Sequence, residues 1–339
     1  MQQAYSTVPS RNLIKAAVGM LKHAEPLIVV GGFGQTKEHP TRSTDTVVFR
    51  RRRVIDAGSN GVANINPQNY VLSEGQTPNA GTISYDDVSV TLEHFGVLLE
   101  LTAKTELMYE DDVPADMQVL VGQHMAQLTE MIDIGKLKGG TSVLYSNGAS
   151  RSAVNTAISK DVLRKAARQL QGARAMKITK RIAPSVNYGT APVSPAYILV
   201  AHTDLENDIR NITGFVPVEE YGSFQPAHAE EIGKIEQFRV LLTPHLRAWA
   251  DAGGAKGSML STTGVNADVY PVIIMAEDCW GKVPLKGFGS ISPTYLPARQ
   301  KSHANPMGQF GYVGADFFYN SLRLNENWLL RLEVAATAL

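Results

Sequence analysis

Four consecutive arginines, Arg50 to Arg53, stand out in this chain for the chemistry they could do, which is to hold anions. They continue the β-prone run Thr46-Val47-Val48-Phe49. In an extended strand, neighbouring side chains point to opposite faces, so two guanidinium groups lie on each side. A guanidinium grips carboxylate or phosphate oxygens in a planar, two-pronged contact. The run therefore points to contacts with acidic patches on neighbouring subunits or with nucleic acid at an inner surface. The plainer alternative is a solvated edge strand kept from aggregating by its charge. Glu74, Asp111, Asp112 and Glu231 are the acidic candidates for contacts of the same kind.

Other spacings that could carry chemistry fall short of it. Gly32-Phe33-Gly34 has two glycines of a dinucleotide-binding turn, but Lys37 stands where the third belongs and Pro40 interrupts the helix that must follow. Gly253-Gly254-Ala255-Lys256-Gly257-Ser258 holds phosphate-loop residues in the wrong order. Neither a Gly-x-Ser-x-Gly elbow nor a His-Glu-x-x-His pair occurs. The eight histidines are scattered; His202-Thr203-Asp204 and His228 with Glu230-Glu231 come nearest to a metal set. Adjacent acids at Asp86-Asp87, Asp111-Asp112, Glu219-Glu220 and Glu230-Glu231 read as solvated edges or helix starts, because neighbours on a strand point apart. No catalytic, cofactor-binding or metal-ligating residue is nominated, and the chain reads as a non-enzyme.

Composition narrows the partners. Thirty-two basic residues balance thirty-two acidic ones among 339, so the cation excess of a dedicated nucleic-acid binder is missing. Hydrophobic residues make up 44% and charged residues 19%, enough apolar matter for a real core. Cys279 is the single cysteine, which excludes an intrachain disulfide and suits a reducing compartment such as the cytoplasm. Lys15, Lys22, His23 and Glu25 break up the apolar stretch Leu13 to Leu21, which reads as a short amphipathic helix rather than a targeting or membrane segment.

The elements that must position these residues follow from hydrophobic period. Residues up to Thr44 read as an arm that orders against a neighbour. The strand at Thr46 and a second run, Val88 to Leu92 continuing from Phe95 to Leu101, enclose a polar stretch between Ala57 and Gly81, giving an extended β-hairpin. Asp111-Asp112-Val113-Pro114 opens a long helix whose apolar residues Met117, Leu120, Val121, Leu128, Met131, Ile132 and Leu137 recur at three- and four-residue steps, ending at Gly139-Gly140. A second helix is expected over Lys160–Gln171, a short one from Asp204 to Asn211, and strands at Tyr197–Val200, Ile235–Leu242, Val269–Met275 and within Gly311–Ala335.

Several blocks in order carry a resemblance. They are Asp45-Thr46-Val47-Val48-Phe49-Arg50-Arg51, Leu72-Ser73-Glu74-Gly75-Gln76-Thr77-Pro78 and His94-Phe95-Gly96 with Leu101-Thr102. Ala201-His202-Thr203-Asp204-Leu205 with Asp208-Ile209-Arg210, Glu231-Ile232-Gly233-Lys234-Ile235 with Phe238-Arg239, and Asn305-Pro306-Met307-Gly308-Gln309 with Gly311-Tyr312-Val313-Gly314 follow, then Leu324-Asn325 and Trp328. They resemble the coat proteins of schitovirus-like podoviruses, tailed phages whose major capsid protein uses the Hong Kong 97-type fold. His94 and Phe95 replace a Gln-Tyr pair of that family, and Thr203 stands where proline is common.

The resemblance implies an α+β chain with an N-terminal arm at 1–44 and an extended E-loop hairpin at 53–92. A peripheral domain with the long spine helix would take 45–52, 93–180 and 305–339, and an axial domain 181–304. It implies hexamers and pentamers of an icosahedral shell in the virion, assembled in the host cytoplasm. A separate scaffolding protein, a portal protein and packaged double-stranded DNA are the implied partners, with decoration proteins a further option and no membrane. A compartment shell of the encapsulin kind is the rival reading of the same fold, and a small-molecule enzyme the more distant one.

Overall fold

The computed structural model describes residues 28–42, 44–55, 58, 61–72, 74–75, 82–108, 112–178, 194–222, 225–286, 292–301, 303 and 305–339. The expected helix at Leu13–Leu21 and the candidate Asp111 lie outside the described residues.

In chain order the strands are β1 (Gln35–Thr36), β2 (Thr46–Arg52), β3 (Tyr85–Thr91), β4 (Glu93–Thr102), β5 (Val143–Tyr145), β6 (Tyr197–Ala201), β7 (Phe215–Pro217), β8 (Glu231–Ile235), β9 (Phe238–Leu242), β10 (Val269–Met275), β11 (Trp280–Pro284), β12 (Ser292–Leu296), β13 (Phe310–Arg323) and β14 (Leu329–Ala335). The longest helix is Val113–Lys138, and a second one spans Lys160–Gly172. Helix combines with sheets that mix parallel and antiparallel pairs, consistent with the α+β expectation.

The chain divides into two units. The first gathers the described residues of Met1–Val47, Val90–Gly135 and Gly281–Leu322. Its sheet runs β1-β11-β13-β12, with β4 also paired to β13. Phe95, Val97 and Leu99 sit opposite Phe317, Ala315 and Val313 in the antiparallel β4–β13 register. A period of two puts all six on one face. Met117, Val121 and Met125 of the long helix pack onto that face, at the four-residue spacing of a single helix stripe. Burying each contributes roughly 1.5–3 kcal/mol, so a charge at Val121, which is fully buried, is the change that would unseat the helix. Gly314 must lack a side chain, because a Cβ there would lie 2.6 Å from the Val97 carbonyl oxygen.

Leu120 and Met131, expected on this stripe, are instead about half exposed. Glu130 and Asp133, which no apolar pattern selects, are fully buried. The second β-run of the hairpin also divides. β3 pairs with β2, Leu92 belongs to neither strand, and β4 joins the five-stranded sheet.

The second unit gathers Val48–Ser89, Lys136–Trp280 and Arg323–Leu339. Its seven-stranded mixed sheet has the order β5-β14-β10-β6-β9-β8-β7. β6, β9 and β10 are buried along their whole length, which is why Tyr197-Ile198-Leu199-Val200 and Val272-Ile273-Ile274 read as continuous apolar runs rather than alternating ones. Leu163, Ala166 and Leu170 of the helix Lys160–Gly172 join this core. The helix ends where Arg174 turns left-handed (φ 50°) and the Ala175 N–H returns to the Leu170 carbonyl, 2.9 Å away. The strand expected over Ile235–Leu242 is two strands, because Glu236 adopts φ 49° and turns β8 back into β9.

Candidate functional site

In the β2–β3 hairpin, alternation places Arg50 and Arg52 on one face and Arg51 and Arg53 on the other. Asp86 and Asp87 on the opposing strand sort in the same way. Arg50 meets Asp87 in a two-pronged pair, Nε–Oδ1 and Nη2–Oδ2 both 2.8 Å, with its guanidinium 5.4 Å from the Tyr85 ring centre. Arg53 Nη2 lies 2.7 Å from Asp86 Oδ1, and Arg51 Nη2 reaches Asp86 Oδ2 at 3.3 Å. The arginines hold both carboxyls below the usual carboxylate range, Arg53 contributing most at Asp86 and Arg50 at Asp87. Asp86 and Asp87, read as a solvated pair, are the cross-strand counter-ions of the arginine run. The pairing was hidden because it depends on register between residues 33 to 37 positions apart.

Between Thr46 and Thr91 the four arginines are matched in number by Asp56, Glu74, Asp86 and Asp87, so the excursion is neutral overall with its cations gathered at Arg50 to Arg53. Among the described residues Arg52 makes no ion pair within the chain, and it is exposed. Large apolar side chains of the same excursion also face solvent: Ile55, Ile65, Val71, Leu72 and Ile83 are each more than half exposed. Glu74 lies exposed beside them.

Two further acidic candidates, Asp112 and Glu231, make contacts within the subunit. The Asp112 carbonyl and carboxylate accept from the Ala115 N–H, at 3.0 and 3.4 Å, opening the long helix. Glu231, expected at a contact surface, is enclosed. Its oxygens take the Tyr221 hydroxyl at 2.5 Å and Arg239 Nη1 at 3.0 and 3.1 Å, and its side chain has no exposure. Burial pushes the Tyr221 hydroxyl far up, with the Glu231 carboxylate adding to it.

In the first unit, Glu130 accepts the backbone N–H groups of Val30 at 2.8 Å and Gly31 at 3.4 Å. Lys282 Nζ donates to the Gly31 carbonyl at 2.7 Å. These bonds seat the turn Val30–Phe33 on the first unit. Burial raises Glu130 against the pull of those N–H groups, and pushes Asp133 up to about 7. His202, nearest to a metal motif in the sequence, accepts the Asp204 N–H through Nδ1 and caps a helical turn. Among the described residues no group of three or more His, Cys, Asp or Glu could hold a metal ion. No described helix is long and apolar enough to cross a membrane.

The chain carries a hairpin with an arginine run and exposed apolar side chains, and its likenesses are to shell proteins. The chain has the Hong Kong 97-type capsid fold. The capsid of Ralstonia phage GP4 matches with TM-score 0.64 and 13% identity, covering 92% of each chain. The SrpI encapsulin of Synechococcus elongatus PCC 7942 matches with TM-score 0.52 and 10% identity over 99% of this chain and 94% of that one. By sequence, the chain is 22% identical over 267 residues to the major capsid protein of Pseudomonas phage KPP21. That match covers 72% of this chain and 66% of the relative, just under two thirds of its length. No family model matches.

Proposed function

We propose that this chain is the major capsid protein of a tailed bacteriophage, a non-enzymatic subunit that builds the head shell. The observation that carries it is the coincidence of two likenesses: a Hong Kong 97-type fold over nearly the whole chain, and sequence similarity to a phage major capsid protein. The hairpin supports it, because a chain that ended its folding alone would not leave this much apolar surface on a two-stranded ribbon. Neighbouring subunits cover that surface in a shell.

Hexamers and pentamers around double-stranded DNA in the virion are the assembly, with a separate scaffolding protein and a portal completing it and decoration proteins as an option. Residues 1–44 act as the arm and 53–92 as the E-loop. Residues 45–52, 93–180 and 305–339 form the peripheral region and 181–304 the axial one. Arg50 to Arg53 and Glu74 lie at inter-subunit or inner-surface junctions. The ordered sequence blocks from Asp45 to Trp328 support membership of the schitovirus-like podovirus coat family.

An encapsulin-type compartment is the second reading, since that fold also matches. Particle contents separate the two. Shells purified from infected cells hold nuclease-protected DNA if the phage reading is right. Shells enclosing a single cargo enzyme and no DNA would overturn it.

A further inference from the structure

The seven-stranded sheet carries opposite charge at its two ends. At the β5–β14 edge, Lys138, Arg151 and Arg331 gather around one ring, with Lys138 Nζ 4.2 Å, Arg151 Cζ 3.6 Å and Arg331 Cζ 5.6 Å from the Trp249 ring centre. The buried carboxylate of Glu333 pairs with both arginines, at 2.8 and 3.0 Å. Three cations against one carboxylate leave an excess of two, and the exposed Arg247 extends it. Burial and then the charges of Arg151 and Arg331 hold Lys138 below its ordinary value, and its Nζ donates to the Arg247 carbonyl at 2.8 Å.

At the far edge, the turn after β7 exposes Glu219 and Glu220, and Glu230 is exposed just before β8. Lys234, over the Tyr221 ring, is one cation beside them, and at the other end of β7 and β8 Lys160 and Arg164 share Glu236, at 3.6 and 2.8 Å. Arg210 nearby is answered by Glu206 at 2.8 Å. The far edge is therefore negative. Six inter-strand steps of about 4.8 Å put the edges roughly 29 Å apart, too far to neutralise each other through water at physiological salt. β5 and β7 have three residues each, too short to recruit a strand from another chain, so contact at either edge is made by side chains.

We propose that these edges meet, the Lys138–Arg151–Arg331 edge of one copy of this chain packing against the Glu219–Glu220–Glu230 edge of the next. Opposite patches on opposite edges make a head-to-tail contact, which closes into a ring around a rotation axis. A self-complementary dimer contact would need both charges on one patch. The inference rests on the shell reading and names the charge pairing that sets the order of subunits within each ring.

The test is charge reversal and re-reversal. One variant carries Glu219→Lys, Glu220→Lys and Glu230→Lys, all exposed positions. A second carries Lys138→Glu and Arg247→Glu, leaving in place the arginines that hold Glu333. A third combines all five changes. Circular dichroism establishes that each is folded, and the acid-edge variant carries the test if the basic-edge variant is not. Each single-edge variant is expected to lose about tenfold or more in closed-particle yield at low salt, because like charges face each other. The five-fold variant, complementary again, is expected to recover.

A folded acid-edge variant that assembles like the wild type, or a five-fold variant no better than its parents, overturns the inference while leaving the shell reading intact. Intact shells with lowered DNA content in the basic-edge variant would assign that edge to nucleic acid instead, and also overturn it. A wild-type chain that forms no assembly at all would strike the shell reading itself.

Discussion

The Tyr319 hydroxyl donates to both carboxylate oxygens of Asp133, at 2.8 and 2.9 Å, across 186 positions of sequence within the first unit. The bond pulls the acid down and burial pushes it up. Burial wins, leaving Asp133 at about 7 against an ordinary 3.8. The folded chain therefore holds this proton more tightly than the unfolded chain. Its stability contribution is fully present below the unfolded pKa and is lost as pH rises through about 7.

Thermal melts of wild type and Asp133→Asn between pH 5 and pH 8 read this directly. The wild type is expected to lose about 2–3 kcal/mol relative to the Asn variant across that range. Parallel pH profiles for the two proteins would contradict the assignment.

Glu130 makes a second prediction. Glu130→Leu leaves the Val30 and Gly31 N–H groups without their acceptor, which costs about 2–4 kcal/mol for two buried donors. Hydrogen exchange of the 28–33 peptide should speed up in that variant more than exchange elsewhere in the first unit. Gly31→Ala should act in the same direction, since a Cβ there would lie 2.7 Å from Ile28 Cγ2.

The buried pair in the second unit is a third. Glu231→Ala strands the Arg239 guanidinium, which is 1% exposed, and is expected to cost about 3–5 kcal/mol. Adding Arg239→Met should recover part of that loss, because the uncompensated charge is then gone. Denaturant unfolding of the single and double variants measures both steps. A double variant as unstable as the sum of its parents would contradict the pairing.

The exposed pairs of the hairpin should behave differently. Asp86→Asn with Asp87→Asn releases solvent-facing arginines, so the melting temperature of the isolated subunit should move by no more than about 1 °C. Particle yield should still fall, because the arginines lose the counter-ions that hold their geometry. A large drop in subunit stability without an assembly defect would reverse this reading.

Much of the frame was legible from hydrophobic period. Met117, Val121 and Leu137 marked the long helix, and the uninterrupted apolar runs at Tyr197 and Val269 marked strands buried on both faces. What period could not supply was long-range pairing. Glu130 and Asp133 sit where an apolar pattern would place solvent-facing acids, and their partners Val30 and Tyr319 lie 100 and 186 positions away. Leu120 and Met131 fit the helical stripe in spacing, yet they fall at its exposed margin. A single left-handed residue, Glu236, divided a run that looked like one strand. For the contact candidates, the arginine run was visible as charge, but its counter-ions were not, since register decides which acids oppose it. Glu231 was visible in a sequence block, while its enclosure by Tyr221 and Arg239 depends on how β8 meets β9.

Electron cryo-microscopy of the chain expressed with a candidate scaffolding protein tests most directly whether it builds a closed shell. The prediction is closed particles whose reconstructed density is tiled by five- and six-membered rings of this fold, with the 53–92 hairpin of each subunit lying on a neighbour. A folded chain that stays a monomer or small dimer at high concentration, with and without the scaffold, would contradict it.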